Sequence, residues 1–228
     1  MKTYCYLILF VFPMMAFGCQ SKTPKNSTLL DSNQKIKKAD TLFYDKQEAE
    51  TPGLGSKNLE YVYWENLTAK EQNEILGSSH VYKDAINYYK RKLILSDNPK
   101  TFNLIDTLIS SKNKNKKVDA FYFFLFNQIC KESDGALSEG LGDHCQRSIL
   151  KAPSFVITYF SKNKEILLKY AQFLGYEFYF KEKGTSTLEY NYVTFKKLLL
   201  KKTGNEEKNK VVLKTFFNEI EKAMKNMN

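Results

Sequence analysis

From residue 68 to residue 224 apolar positions recur at steps of three and four, the spacing of one helix face. Thr68 followed by Glu71 forms a capping box, and Gly77 closes the helix it opens. Ser79 is placed to cap the next, whose face carries Val81, Tyr82, Ala85, Ile86, Tyr89 and Leu93. Asn98-Pro99 is an N-cap with proline at the first helical position, before the stripe Phe102, Ile105, Leu108 and Ile109. Residues 116–132 carry Val118, Phe121, Tyr122, Leu125 and Ile129, with a core apolar all round that predicts a helix buried on several sides.

Asp134 is placed to cap a helix over 135–150 bearing Leu137, Leu141 and Ile149. Pro153-Ser154 restarts the chain. Asn163 opens a further helix that Gly175 would close, and 187–202 and 206–226 give the last two. No internal repeat is visible. Short linkers make consecutive helices antiparallel neighbours. The expected fold is all-α: stacked antiparallel helical hairpins resembling an irregular α-solenoid, with a closed helical bundle as the alternative.

The amino terminus breaks this pattern. After Lys2, residues Cys5 to Phe17 are apolar and uncharged. That is too short to span a bilayer core but suits a signal-peptide hydrophobic region. Gly18-Cys19 follows, then the polar run Gln20 to Asn26. Residues 1–19 resemble bacterial lipoprotein precursors, with Ala16 at the usual Leu position and Gly18-Cys19 at the cleavage site. The resemblance implies diacylglyceryl transfer to the Cys19 sulfur, cleavage before Cys19 and acylation of the new amine. Ordinary secretion would cut at the same bond. The resulting organisation is a signal peptide over 1–18, lipidated Cys19 and a tether over 19–57, and one domain over 58–228. The protein would be exported and held in a membrane through its lipid, facing the periplasm or the exterior.

Cysteine parity agrees with that reading. Cys5 leaves with the signal, and lipidation of Cys19 leaves Cys130 and Cys145, which an oxidising compartment can pair. Geometry opposes the pairing. Helices over 116–132 and 135–150 would separate the two by about 12 Å along the axes, against the roughly 7 Å between Cα atoms that a disulfide tolerates. Two free, buried thiols are therefore expected, unless residues 135–142 form a loop.

The net charge of +10 rests on 35 basic residues, of which only Arg91 and Arg147 are arginine. Base and phosphate recognition favours arginine, so nucleic acid is not an expected partner. With abundant Asn, Ile, Phe and Tyr beside them, the lysines read first as compositional bias spread over solvated faces, although an anionic membrane or envelope polymer would still attract such a surface. The densest cluster is Lys112, Lys114, Lys116 and Lys117. The 14% aromatic content excludes a wholly disordered chain.

The segment from Asp134 to Cys145 gathers three glycines, three carboxylates, a histidine and a cysteine. Glu139 and Asp143, four apart on one helix face, could work beside His144 as acid and base. The bland alternative is that Gly140 and Gly142 permit close packing. Cys130, His144 and Cys145 are too few for a metal site, and no metal or cofactor is expected. Glu60, Trp64 and Glu65 would suggest a carbohydrate platform, although a lone Trp is more often core. His80, after Ser78-Ser79, suits a turn.

Two functions remain. One is a non-catalytic envelope lipoprotein that binds a protein or polymer partner, an immunity-type protein being one version. The other is a cell-wall or glycan hydrolase using Glu139, Asp143 and His144.

Overall fold

The computed structural model describes residues 61–111, 113, 115–186, 188–203 and 207–227. The signal peptide, Cys19, the tether, Glu60, Lys112 and Lys114 lie outside the described residues. The described chain is all-α. After a 3-10 turn at Trp64–Asn66 come α1 (Ala69–Leu76), α2 (Lys83–Tyr89), α3 (Pro99–Ser110), α4 (Lys116–Glu132) and α5 (Gly135–Glu139). Then follow α6 (Leu141–Lys151), α7 (Pro153–Lys162), α8 (Lys164–Glu182), α9 (Tyr192–Thr203) and α10 (Glu207–Lys225).

Local chemistry explains several of these boundaries. Thr68 Oγ1 accepts from the Glu71 N–H at 3.3 Å, and the Glu71 carboxylate accepts from the Thr68 N–H at 2.8 Å, closing the capping box of α1. Asn98 Oδ1 accepts from the Thr101 N–H ahead of Pro99. Asn115 Oδ1 accepts from the Lys117 N–H at the start of α4. At the end of α3, Lys151 Nζ donates to the carbonyls of Ile109 and Ser111 at 2.8 and 2.9 Å, taking up acceptors the helix leaves unpaired.

Other boundaries differ from expectation. Tyr82, not Ser79, precedes α2, and no side chain caps it. Leu93 falls beyond that helix, which ends at Tyr89. The α2 terminus is a Schellman turn: Lys92 N–H reaches Asn87 O and Arg91 N–H reaches Tyr88 O. Its left-handed position, usually glycine, is Arg91 at φ 57°. Asp134 and Asn163 cap nothing with their side chains; Asn163 Nδ2 donates backward to Tyr159 O. The helix expected over 187–202 begins only at Tyr192.

Helix α8 organises the core. Its most extensive interface is with α10, the next with α6, and it also meets α4, α5 and α7. Contacts between sequence neighbours, as in stacked hairpins, therefore coexist with a set gathered around one buried helix, as in a bundle. Tyr170, Ala171, Leu174 and Phe178 of α8 are fully or almost fully buried, as are Phe121 and Leu125 of α4 and Phe216 and Ile220 of α10. Inside this apolar mass, Tyr170 donates to Asn127 Oδ1 at 2.9 Å, because a buried hydroxyl needs a partner.

Gly175 does not close α8, which continues seven residues further, to Glu182. A Cβ at Gly175 would stand 2.5 Å from Ala223 Cβ and 2.9 Å from Ile220 O, so the glycine marks the crossing of α8 and α10. The turn is supplied by Gly184 at φ 78°. Gly175→Ala should lower the unfolding free energy by about 1–3 kcal/mol through overpacking. Gly77→Ala, where the nearest atom is Asn73 O at 3.4 Å, should change it by less than about 0.5 kcal/mol. Denaturant midpoints of the two variants measure the difference.

Candidate functional site

Residues 135–150 do not form one helix. The chain breaks at Gly140, whose N–H turns back to Leu137 O. The Phe102 ring of α3 fills the place a Cβ would take, with its Cζ at 2.6 Å. One helix later, Gly142 faces α8 so closely that a Cβ would meet Phe173 O at 2.8 Å. The break has two consequences for the candidate residues. Glu139, the last residue of α5, is exposed and does not share a face with Asp143 of α6. The 12 Å offset between cysteines also fails: the Cys130 and Cys145 thiols are hydrogen-bond neighbours, both with no exposed surface.

Asp143 and His144 instead join two residues that sequence reasoning did not single out as a site. Arg147 Nε donates to Asp143 Oδ2 at 2.8 Å, and Arg147 Nη2 donates to Asp106 Oδ1 at 2.6 Å. His144 Nε2 lies 3.3 Å from the same Asp106 oxygen. Its Nδ1 lies 3.0 Å from Gly140 O. The imidazole stacks on Phe102, with ring centroids 5.7 Å apart. This network ties α3 to α6 across 41 residues of sequence.

A histidine that serves as acid or base needs one nitrogen free to meet substrate. In His144 each nitrogen already faces an acceptor, and only 8% of the residue is exposed. Two acceptors favour the imidazolium. Burial opposes it, the Arg147 charge adds to that opposition, and Asp106 has already spent its oxygen on Arg147. The balance holds the His144 pKa below the ordinary value. The arrangement locks a helix pair together; it does not present a proton to solvent.

The other candidates are also placed. Trp64 is 3% exposed and packs on Phe121 at 4.5 Å, which leaves no face for a sugar. Glu65 accepts from Tyr159 Oη at 2.8 Å. His80 is exposed in a turn where its N–H donates to Ser78 Oγ. Lys117 pairs with Glu71 at 2.8 Å, so one member of the lysine cluster braces α1 against α4. Among the described residues no group of three or more His, Cys, Asp or Glu is gathered to hold a metal. No described helix is long and apolar enough to cross a membrane.

A cleft of about 510 Å³ lies elsewhere, between the segment after α2 and the α4–α5 junction. Leu93, Leu95, Ile129 and Leu137 line it, with Arg91 and Glu132 at its rim. Arg91 grips Glu132 with two bonds of 2.7 Å, and Tyr88 Oη donates to the same carboxylate at 3.0 Å. Donation from the Arg91 guanidinium is the main reason the Glu132 pKa lies below the usual range. Beside the cleft, Ile94 is 91% exposed. Arg91 in the left-handed turn was the one sequence position able to signal this loop, but arginine carries no such signal.

Comparison with known proteins finds no matching family model, no matching curated protein and no matching solved structure.

Two predictions follow from the geometry. A His144 pKa below that of the unfolded chain means the unfolded state takes up the proton first. The stability that the neutral imidazole contributes is complete above about pH 6.5 and is lost as pH falls below it. Wild type should therefore lose more thermal stability than His144→Gln between about pH 7.5 and pH 5; a constant difference between them would contradict the assignment. Burial also pushes the Cys145 thiol up. Native protein should leave Cys130 and Cys145 unalkylated, whereas denatured, unreduced protein should take up label at both. Intact mass distinguishes this from a disulfide, which would block both and remove two daltons.

Proposed function

We propose that this chain is a non-catalytic cell-envelope lipoprotein, held at the membrane through lipidated Cys19, whose helical domain binds a protein or an anionic envelope polymer. An immunity-type protein is one concrete form, since it needs an anchor and a complementary surface but no catalytic residues. The reading of the address rests on the short apolar run ending at Gly18-Cys19. The observation that supports binding over hydrolysis is the state of His144. Its Nδ1 faces Gly140 O and its Nε2 faces Asp106, so neither ring nitrogen is turned to solvent; Asp143 is committed to Arg147, and Glu139 stands apart on α5. A hydrolase would need these groups to converge on one substrate-accessible point.

An exposed apolar side chain at the cleft favours the same reading: Ile94 is 91% exposed. Such a group gains most from a partner that removes it from water.

Metabolic labelling with a fatty-acid analogue tests the anchor. Wild type should be labelled and recovered with membranes, and Cys19→Ser should be unlabelled. An unlabelled wild-type protein recovered free of membrane would overturn the proposal.

A further inference from the structure

Helices α9 and α10 run antiparallel, with Tyr192 Oη donating to Glu221 Oε1 at 2.5 Å and Lys196 Nζ reaching the same oxygen at 3.0 Å. Lys196 also lies over the Tyr192 and Phe217 rings, 5.4 and 5.1 Å from their centroids. These contacts fix which side of each helix meets the other. Phe195 and Leu199 of α9, and Leu213, Phe216 and Ile220 of α10, point into the core. At helical spacing, Val193, Lys197, Leu200 and Lys201 then form the outward stripe of α9. Val211 and Lys214 stand on the outward side of α10.

The stripe is mixed in a specific way. The two helices carry nine lysines against three glutamates, an excess of six. Each glutamate is already occupied: Glu207 by Lys210, Glu219 by Lys222 and Glu221 by Lys196. Lys197, Lys201 and Lys214 have no ion pair among the described residues. On the same outward sides of the two helices are Val193, Leu200 and Val211, at 72%, 44% and 69% exposure. A soluble polyanion would satisfy the lysines and leave the valines and leucine in water. A bilayer with anionic headgroups satisfies both, with phosphates at the ammonium groups and the acyl boundary at the apolar tips.

We propose that the outward face of the α9–α10 hairpin lies on an anionic lipid bilayer. The lipid anchor of the preceding section would supply proximity, and on that reading this face sets the orientation of the domain. Each glutamate of the two helices is matched by a neighbouring lysine, so the excess charge they carry is positive.

Lysine acetylation footprinting of the full chain tests the contact residue by residue. The chain is mixed with vesicles of phosphatidylglycerol and phosphatidylcholine, or of phosphatidylcholine alone. On anionic vesicles the reactivities of Lys197, Lys201 and Lys214 should fall several-fold relative to Lys100 on α3, whose side chain is 72% exposed. On zwitterionic vesicles they should not. The double variant Val193→Ser/Val211→Ser keeps every charge and both positions are at the surface, so it should fold and lose the protection. Protection that is absent, is shared equally by Lys100, is equal on both vesicles, or survives in the double variant overturns the proposal. Survival in the double variant would indicate simple polyanion attraction. Because the footprint reads orientation and fatty-acid labelling reads Cys19, failure of one is distinguishable from failure of the other.

Discussion

The approach of α8 to α6 and α10 is the constraint on which the rest of the domain depends. Helices meet closely only where side chains leave room, and two glycines provide it. Gly142 of α6 lies against the backbone of α8 at Phe173, and Gly175 of α8 lies against Ile220 and Ala223 of α10. With those crossings made, Tyr170, Leu174 and Phe178 are sealed and α4 can lay Phe126 edge-on against Tyr170, centroids 5.7 Å apart. A methyl group added at the α8–α10 crossing must push on Ala223 and the Ile220 carbonyl, and a close-packed core passes that strain to its neighbours.

Polar residues fasten what the glycines bring together. The chain has only two arginines, and each ties distant helices together: Arg91 holds Glu132 at the end of α4, and Arg147 holds Asp106 of α3 while engaging Asp143 on its own helix. Gln146 does similar work for the segment before α9, donating to Tyr190 O and accepting from Tyr190 N–H. The planar fork of arginine suits such clamps better than lysine does. Some lysines also brace helices, as Lys117, Lys151 and Lys196 do; others, such as Lys197 and Lys214, stay on solvent-facing sides, where their charge is available to partners of opposite sign.

What the sequence revealed and concealed divides along the range of the interaction. Thr68 with Glu71, Asn98 with Pro99, and the apolar period of residues 116–132 are local signals, and each sets an element where it was expected. Ser79 looked like a cap because serine often is one, yet the helix starts at Lys83 after Tyr82, whose N–H goes to Tyr122 Oη from a helix 40 residues away. Gly175 reads locally as a helix stop, and only the contact with Ala223 of α10 makes it a crossing instead. Gly140 reads as packing space inside a continuous helix; Phe102 does pack into that space, but the helix breaks there. Asp106 went unnoticed because nothing near it in sequence hints at Arg147. The lipoprotein features lie in residues the structure does not describe, so their only support is the residue pattern itself.

The dominance of the α8–α10 interface also bears on when the domain can come into being. Residues 213–220 of α10 bury Leu213, Phe216, Phe217 and Ile220, some 40 positions after the stretch of α8 they cover. A nascent chain that has delivered α8 but not α10 holds an apolar helix with its largest partner missing. Isolated helices are marginal in water, so such a chain has little to gain by folding early. Completion of the core is thereby tied to arrival of the C-terminal segment. During synthesis or passage through a narrow channel, the polypeptide would remain threadable until that segment emerges.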